Sequence, residues 1–170
     1  MNYLSTSRFI PLIIMSDGKD TIIYIDGAHA VHTICKGHSE SFVTQGKGAM
    51  INVYTKLGLA TNSSTETEIV ATGEQLPKCT WFRYFRIEQG ELVKEDLLMQ
   101  DSKSCMLLQT NEQFSVGKVS KNIHVKSLFA TDKMDKRELK LSYYPTDNMI
   151  ADFSTKSLQG AVFVEFRNKM

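Results

Sequence analysis

The chain has no apolar stretch long enough to cross a bilayer. The longest near the start, Phe9 to Met15, is interrupted by Pro11, whereas a spanning helix needs about 20 apolar residues. It also lacks the small-residue cleavage site of a signal peptide. Cysteine is scarce. Cys35, Cys79 and Cys105 are odd in number and have no CxxC spacing, which argues against a disulfide framework and a zinc site and fits a reducing, cytoplasmic setting. An excess of one charge is missing too. Lys and Arg total 20 against 19 Asp and Glu, a net charge of +1. Any surface for a polyanion must therefore be a local patch. No internal repeat or low-complexity segment is visible.

What is present suits a soluble globular domain. The 170 residues are 42% hydrophobic and 23% charged, enough for one domain with a real core. Residues 1–19 read as a leader or linker, ending in the turn Ser16-Asp-Gly-Lys19, and residues 20–170 as the domain. The stretch Thr21-Ile-Ile-Tyr-Ile-Asp-Gly-Ala-His-Ala30 is rich in β-branched and aromatic residues and predicts a strand. Ile22, Tyr24, Asp26 and Ala28 fall on one face and Ile23, Ile25, Gly27 and His29 on the other. Asp26 stands out, because a carboxylate in a strand needs a cation or a hydrogen-bond partner. It could equally be a strand-end Asp leading into a Gly turn.

A polar loop is expected from Thr33 to Ser39, then strands at Glu40–Thr44 and Ala49–Thr55 around the turn Gln45-Gly-Lys-Gly48. Three successive strands imply an antiparallel meander. Ser63 followed by Glu66 forms a capping box. The helix it starts carries Ile69, Val70, Ala71, Leu76, Trp81, Phe82 and Phe85 on more than one face, so much of it should be buried. Pro77 should kink or break it. With Glu66 engaged at the cap, Glu68 is the acid left free. Leu97 to Met99 predicts a short buried strand ending at Gln100-Asp101. The helix from Ser102 to Thr110 should use Met106 and Leu107 as core contacts, and Asp101 could simply be its N-cap. A helix from Lys118 to Met134 exposes Lys118, Lys121, Lys126 and Lys133. A strand spans Glu138–Tyr144, and a helix through Met149, Ile150 and Ala151 carries Asp152. A last helix, about Leu158 to Arg167, has Val162, Phe163 and Phe166 on an apolar stripe. Strands in a meander followed by alternating helices and strands imply an α/β fold, a central mixed five-stranded sheet with helices on both faces.

Asp26, Glu68, Asp101 and Asp152 thus come from four separate elements. Carboxylates gathered this way repel unless cations hold them, and hard oxygen ligands suit Mg²⁺. The order of elements resembles the ribonuclease H fold. Four local motifs narrow the likeness: Tyr24-Ile-Asp-Gly-Ala-His-Ala-Val-His32, Ser63-Ser-Thr-Glu-Thr-Glu68, Gln100-Asp-Ser-Lys-Ser104 and Tyr144-Pro-Thr-Asp-Asn-Met-Ile-Ala-Asp-Phe-Ser-Thr-Lys156. Together they resemble the ribonuclease H domain of copia-type retrotransposon polyproteins, and Leu158-Gln-Gly160 continues the match.

That resemblance implies that Asp26, Glu68, Asp101 and Asp152 are catalytic and bind two Mg²⁺ ions, with Mn²⁺ as a substitute. It implies cleavage of the RNA strand of an RNA–DNA hybrid, with Lys118, Lys121 and Lys126 as backbone contacts. It also implies a reverse transcriptase domain upstream in a parent polyprotein, no membrane partner, and a cytoplasmic setting, virus-like particles included. No polymerase motif is present. Departures from the family pattern are Asn122 where His is usual, Thr155-Lys-Ser-Leu158 in place of Thr-Lys-Pro-Leu, and Lys56-Leu-Gly58 in place of Lys-Gln-Lys. The short loop before Asp152 carries no His, where many cellular ribonucleases H have one, and His29, His32, His38 and His124 read as structural or surface residues. The competing reading is a catalytically inactive remnant that keeps the fold and at most weak hybrid binding.

Overall fold

The computed structural model describes residues 9, 11, 13–17, 20–31, 36–110, 121–152 and 159–169. In chain order the elements are β1 (Met15–Ser16), β2 (Ile22–Ala28), β3 (Lys36–Thr44), β4 (Gly46–Lys47), β5 (Ile51–Ala60), α1 (Ser64–Glu88), β6 (Asp96–Gln100), α2 (Lys103–Thr110), α3 (Lys121–Asp135), β7 (Leu139–Tyr143), a 3₁₀ turn (Thr146–Asn148) and α4 (Gly160–Lys169). Five strands form a mixed sheet in the order β5-β3-β2-β6-β7. The meander β2-β3-β5 is antiparallel, and β6 and β7 join in parallel. Strands β1 and β4 make a separate two-stranded ribbon, with Met15 opposite Lys47. Among the described residues no helix is long and apolar enough to cross a membrane.

The alternation along β2 sorts the core into two layers. Ile23 and Ile25 join Val43, Ile69, Val70, Leu76 and Leu98 on the face covered by α1. Tyr24 joins Phe42, Met149 and Ala151 on the other, where helical turns between Thr146 and Asp152 lie. Gly27 lets α1 approach the sheet, since a Cβ there would stand 3.1 Å from Ala71 Cβ and from Thr67. Between α1 and the meander lies a polar seam. Gln75, fully buried, donates to Ser39 Oγ (2.7 Å) and Thr55 Oγ1 (2.8 Å) and accepts from Ser41 Oγ (3.3 Å).

Several expectations need correction. Helix α1 runs unbroken from Ser64 to Glu88 with Pro77 inside it. Packing along its inner face outweighs the one hydrogen bond that proline removes. Trp81 and Phe85 do not enter the core but stack on each other outside it, ring centroids 5.5 Å apart. Strand β3 begins at Lys36, so the stretch read as loop up to Ser39 is paired sheet. Its small polar residues are satisfied by ladder bonds and by Gln75. The third meander strand starts at Ile51, not Ala49, and continues to Ala60.

In α2 the buried residues are Cys105 and Gln109, while Leu107 is exposed. The helix sits one position rotated from its apolar pattern. Lys133 is buried against Tyr84 and Glu138 rather than solvated. In α4 Phe166 is buried and Val162 exposed.

Gln75 offers a direct test of the polar seam. Gln75→Leu should strand the Ser41 hydroxyl and take the amide donor from Ser39 and Thr55, and cost about 2–3 kcal/mol. Urea unfolding of the two proteins measures it.

Candidate active site

The site begins with strand pairing. Ladder pairs Ile22–Leu97, Ile23–Leu98 and Tyr24–Met99 align β2 with β6 in parallel. Two places further on, the same alignment sets Asp26 beside Asp101. Asp152 arrives from the turn after β7, its own amide donating to Met149 O at 3.0 Å. Carboxylate oxygens of Asp26, Asp101 and Asp152 all lie within 4.8 Å of one another. Asp26 and Asp152 are 3% and 4% exposed and Asp101 half-buried.

Asp101 is not the cap of α2. Ser102 Oγ takes that role, accepting from the Cys105 amide at 3.2 Å. The Asp101 carboxylate instead accepts from Thr146 Oγ1 at 2.9 Å. This bond ties the end of β6 to the turn that presents Asp152.

Glu68 approaches from α1. Ser63 Oγ accepts from the Glu66 amide at 3.2 Å, and Glu66 Oε2 accepts from the Asn62 amide at 2.8 Å. Glu66 is thereby spent on the helix start, one residue outside the position a standard capping box uses. Glu68, two residues on, turns inward and is 7% exposed. It lies outside the three-acid group but against it, hydrogen-bonded to Asp26 and accepting from Gln100 Nε2 at 3.0 Å. Burial pushes the Glu68 carboxyl well above the ordinary value of 4.5. The charges of Asp26 and, more weakly, Asp101 push the same way, against the bond from Gln100. Burial also raises the thiol of Cys105 well above its ordinary range, and Glu68 and Asp101 add to it.

These residues fit a hard divalent cation. The donor set is all carboxylate, with no Cys or His in it, as Mg²⁺ or Mn²⁺ requires. Thr146 and Gln100 each donate a hydrogen bond to an acid of the cluster. Among the described residues, Asp26, Asp101 and Asp152 form the group that could hold a metal.

Three neighbours were not singled out from the sequence. Gln100 orients Glu68 and Thr146 orients Asp101. Glu40, fully buried, is the cross-strand partner of Asp26. Its place in an alternating strand, two before Phe42, was the available signal. Of the lysines, Lys121 is exposed at the start of α3. Lys126 pairs with Glu74 at 3.0 Å, and Lys118 lies outside the described residues. His29 Nδ1 contacts Thr67 Oγ1 (2.9 Å) and Thr61 Oγ1 (3.2 Å). His32 and Cys35 also lie outside the described residues.

No protein-family model matches the chain. Solved structures do. The ribonuclease H1 isolated from compost by a metagenomic approach superposes with a TM-score of 0.56 at 20% identity, over 78% of this chain and 90% of its own. The same enzyme in complex with an RNA/DNA hybrid gives 0.53 at 16% identity, over 76% and 88%. The N-terminal ribonuclease H domain of a Mycobacterium tuberculosis protein gives 0.57 at 13% identity, over 87% and 96%. The prototype foamy virus protease–reverse transcriptase gives 0.52 at 11% identity, over 86% of this chain but 19% of its own. The fold is therefore that of the ribonucleases H.

A raised carboxyl pKa in the folded state has a defined consequence for stability. Between the ordinary value and the raised one the folded protein holds a proton that the unfolded chain has lost. Metal-free stability therefore falls as pH rises above about 4.5. Glu68→Gln, which cannot ionise, should flatten that fall. Thermal melts in chelator from about pH 4 to pH 8 compare the two proteins directly.

Proposed function

We propose that the chain is a divalent-metal-dependent nuclease that cuts the RNA strand of RNA–DNA hybrids, as the ribonuclease H part of a copia-type retrotransposon polyprotein. The reading is carried by one observation: Asp26, Asp101 and Asp152 converge to within 4.8 Å, with Glu68 against them. The match to an enzyme solved with an RNA/DNA hybrid supports the substrate class. The match to a fifth of a protease–reverse transcriptase chain supports a place beside a reverse transcriptase.

On this reading Asp26, Glu68, Asp101 and Asp152 hold two Mg²⁺ ions, or Mn²⁺ in their place. Bound ions of this kind activate a water and neutralise the charge that builds up on the scissile phosphate. The chain's own contribution is orientation. Strand β2, paired on both sides, fixes Asp26. Gln100 holds Glu68, and Thr146 holds Asp101. Lys121 offers an exposed cation for a backbone phosphate, whereas Lys126 must leave Glu74 to do the same. Lys118 completes the proposed set of contacts.

A labelled RNA–DNA hybrid with Mg²⁺, or with chelator, tests the proposal. Wild type should cut only with metal. Asp26→Asn should abolish cutting, and Glu66→Gln should leave it within about twofold, since Gln still serves the helix start. Removing one of several repelling charges, Asp26→Asn should also be at least as stable as wild type without metal and gain less from Mg²⁺. Binding of hybrid by wild type with no cutting at any metal concentration would instead identify an inactive remnant.

A further inference from the structure

The outward face of α1 has no use in the chemistry above. Along its second half Trp81 is 62% exposed, Phe85 47% and Tyr84 41%. The Trp81 and Phe85 rings stack on each other. Beside them Ile51, Pro77, the stem of Lys78 and Trp81 line an open apolar groove of about 600 Å³. Aromatic rings are costly to leave in water, and contiguous apolar patches on soluble domains mark contact surfaces.

The order of residues along this face says what could cover it. Lys78, Trp81, Phe85 and Glu88 stand at spacings of three, four and three, the seam spacing of paired helices. They are symmetric about position 83. If a second α1 is laid antiparallel across the first on a two-fold axis, Trp81 meets Phe85, Phe85 meets Trp81, and Lys78 meets Glu88 at both ends. A two-fold contact requires this kind of self-complementarity. The patch also supplies both a projection, the stacked rings, and a groove to receive one.

We propose that this face binds a second copy of the chain through antiparallel α1 helices. The expected strength follows from area. The three rings expose roughly 300 Å² per copy, taking about 150–250 Å² for each whole aromatic side chain. The two copies together bring roughly 600 Å², a little over a third of the total a standard interface buries, the rest falling to Pro77 and the charged ends. Association should be weak and reversible. Trp81 lies thirteen residues beyond Glu68, about 20 Å along the helix axis, so the acid cluster stays open in the pair.

The full chain tests this well because Trp81 is its single tryptophan. Sedimentation velocity and tryptophan emission are followed together from roughly 1 μM to 1 mM, the range over which weak complexes dissociate. Mass should rise from monomer to dimer while emission shifts to shorter wavelength as the indole leaves water. Glu88→Lys and Lys78→Glu should each weaken dimerisation about tenfold by placing like charges at both ends of the seam. The double swap should restore it. Lys78 also donates to Gln75 Oε1 at 3.1 Å, so melting curves accompany that variant, and Glu88→Lys alone carries the test if it fails to fold.

Hybrid cutting should be the same in all of them, which separates this proposal from the nuclease reading. A monomer with unchanged emission throughout the range would overturn it. So would a dimer indifferent to both reversals, or one whose double swap stays weak.

Discussion

Like-charge repulsion at the end of two parallel strands is the constraint around which this molecule is arranged. Asp26, Asp101 and Asp152 are held closer than free carboxylates would settle, and Glu68 is forced against them out of water. Such a cluster survives only if each acid is delivered by an element that cannot yield. Asp26 sits on the central strand, paired with Glu40 of β3 and two places past the last β2–β6 ladder pair. Asp101 follows a central strand and is tied by Thr146 to the turn that brings Asp152. Glu68 rides on a 25-residue helix whose start is clamped by Ser63 and Glu66. The chemistry available to the site is set by that stiffness, since a softer frame would let the acids separate and lose the cation's binding geometry.

The sequence disclosed the site better than it disclosed the packing, for a physical reason. An acid in a strand of Ile and Tyr breaks the local pattern, and so does an acid two places beyond a capping box. Both anomalies are visible without knowing any partner. Glu40 was missed because it belongs to a strand of small polar residues whose burial depends on Gln75, more than thirty residues away. Nothing near Ser39 or Ser41 says that an amide will arrive to satisfy them. The polar loop expected from Thr33 to Ser39 failed over its described part, from Lys36 on, for the same reason. The role first considered for Asp101, as a helix cap, fell to Ser102. Two adjacent residues with the same capping chemistry cannot be ranked without the turn that fixes which one points back.

Helix α1 shows where periodicity misleads. Its apolar residues cover more than one face, and the simplest reading buries them all. The structure buries Ile69, Val70, Leu76 and Phe82 and leaves Trp81 and Phe85 outside. Pro77 is tolerated because it lies on the exposed side of the helix, so the inner contacts stay intact. The proline, the groove and the stacked rings therefore belong to one surface that the monomer's core does not claim.

That division gives α1 two ends with opposite electrostatic duties. Its first turns carry acids toward the cluster, where the positive end of the helix dipole offsets part of their repulsion. Its last turns carry Arg83 and Arg86 to the far end of the sheet, where Arg83 reaches the buried Asp96 and Arg86 reaches Thr21 and Glu91. Burial raises the Asp96 carboxyl, and the two guanidiniums work against that rise. The helix thus anchors itself by charge at the end away from the site, while its other end carries Glu68 against the cluster. A cation entering that cluster would relieve strain at one end of a beam already fixed at the other, so its effect should be felt as rigidity along α1 rather than as a rearrangement of the sheet.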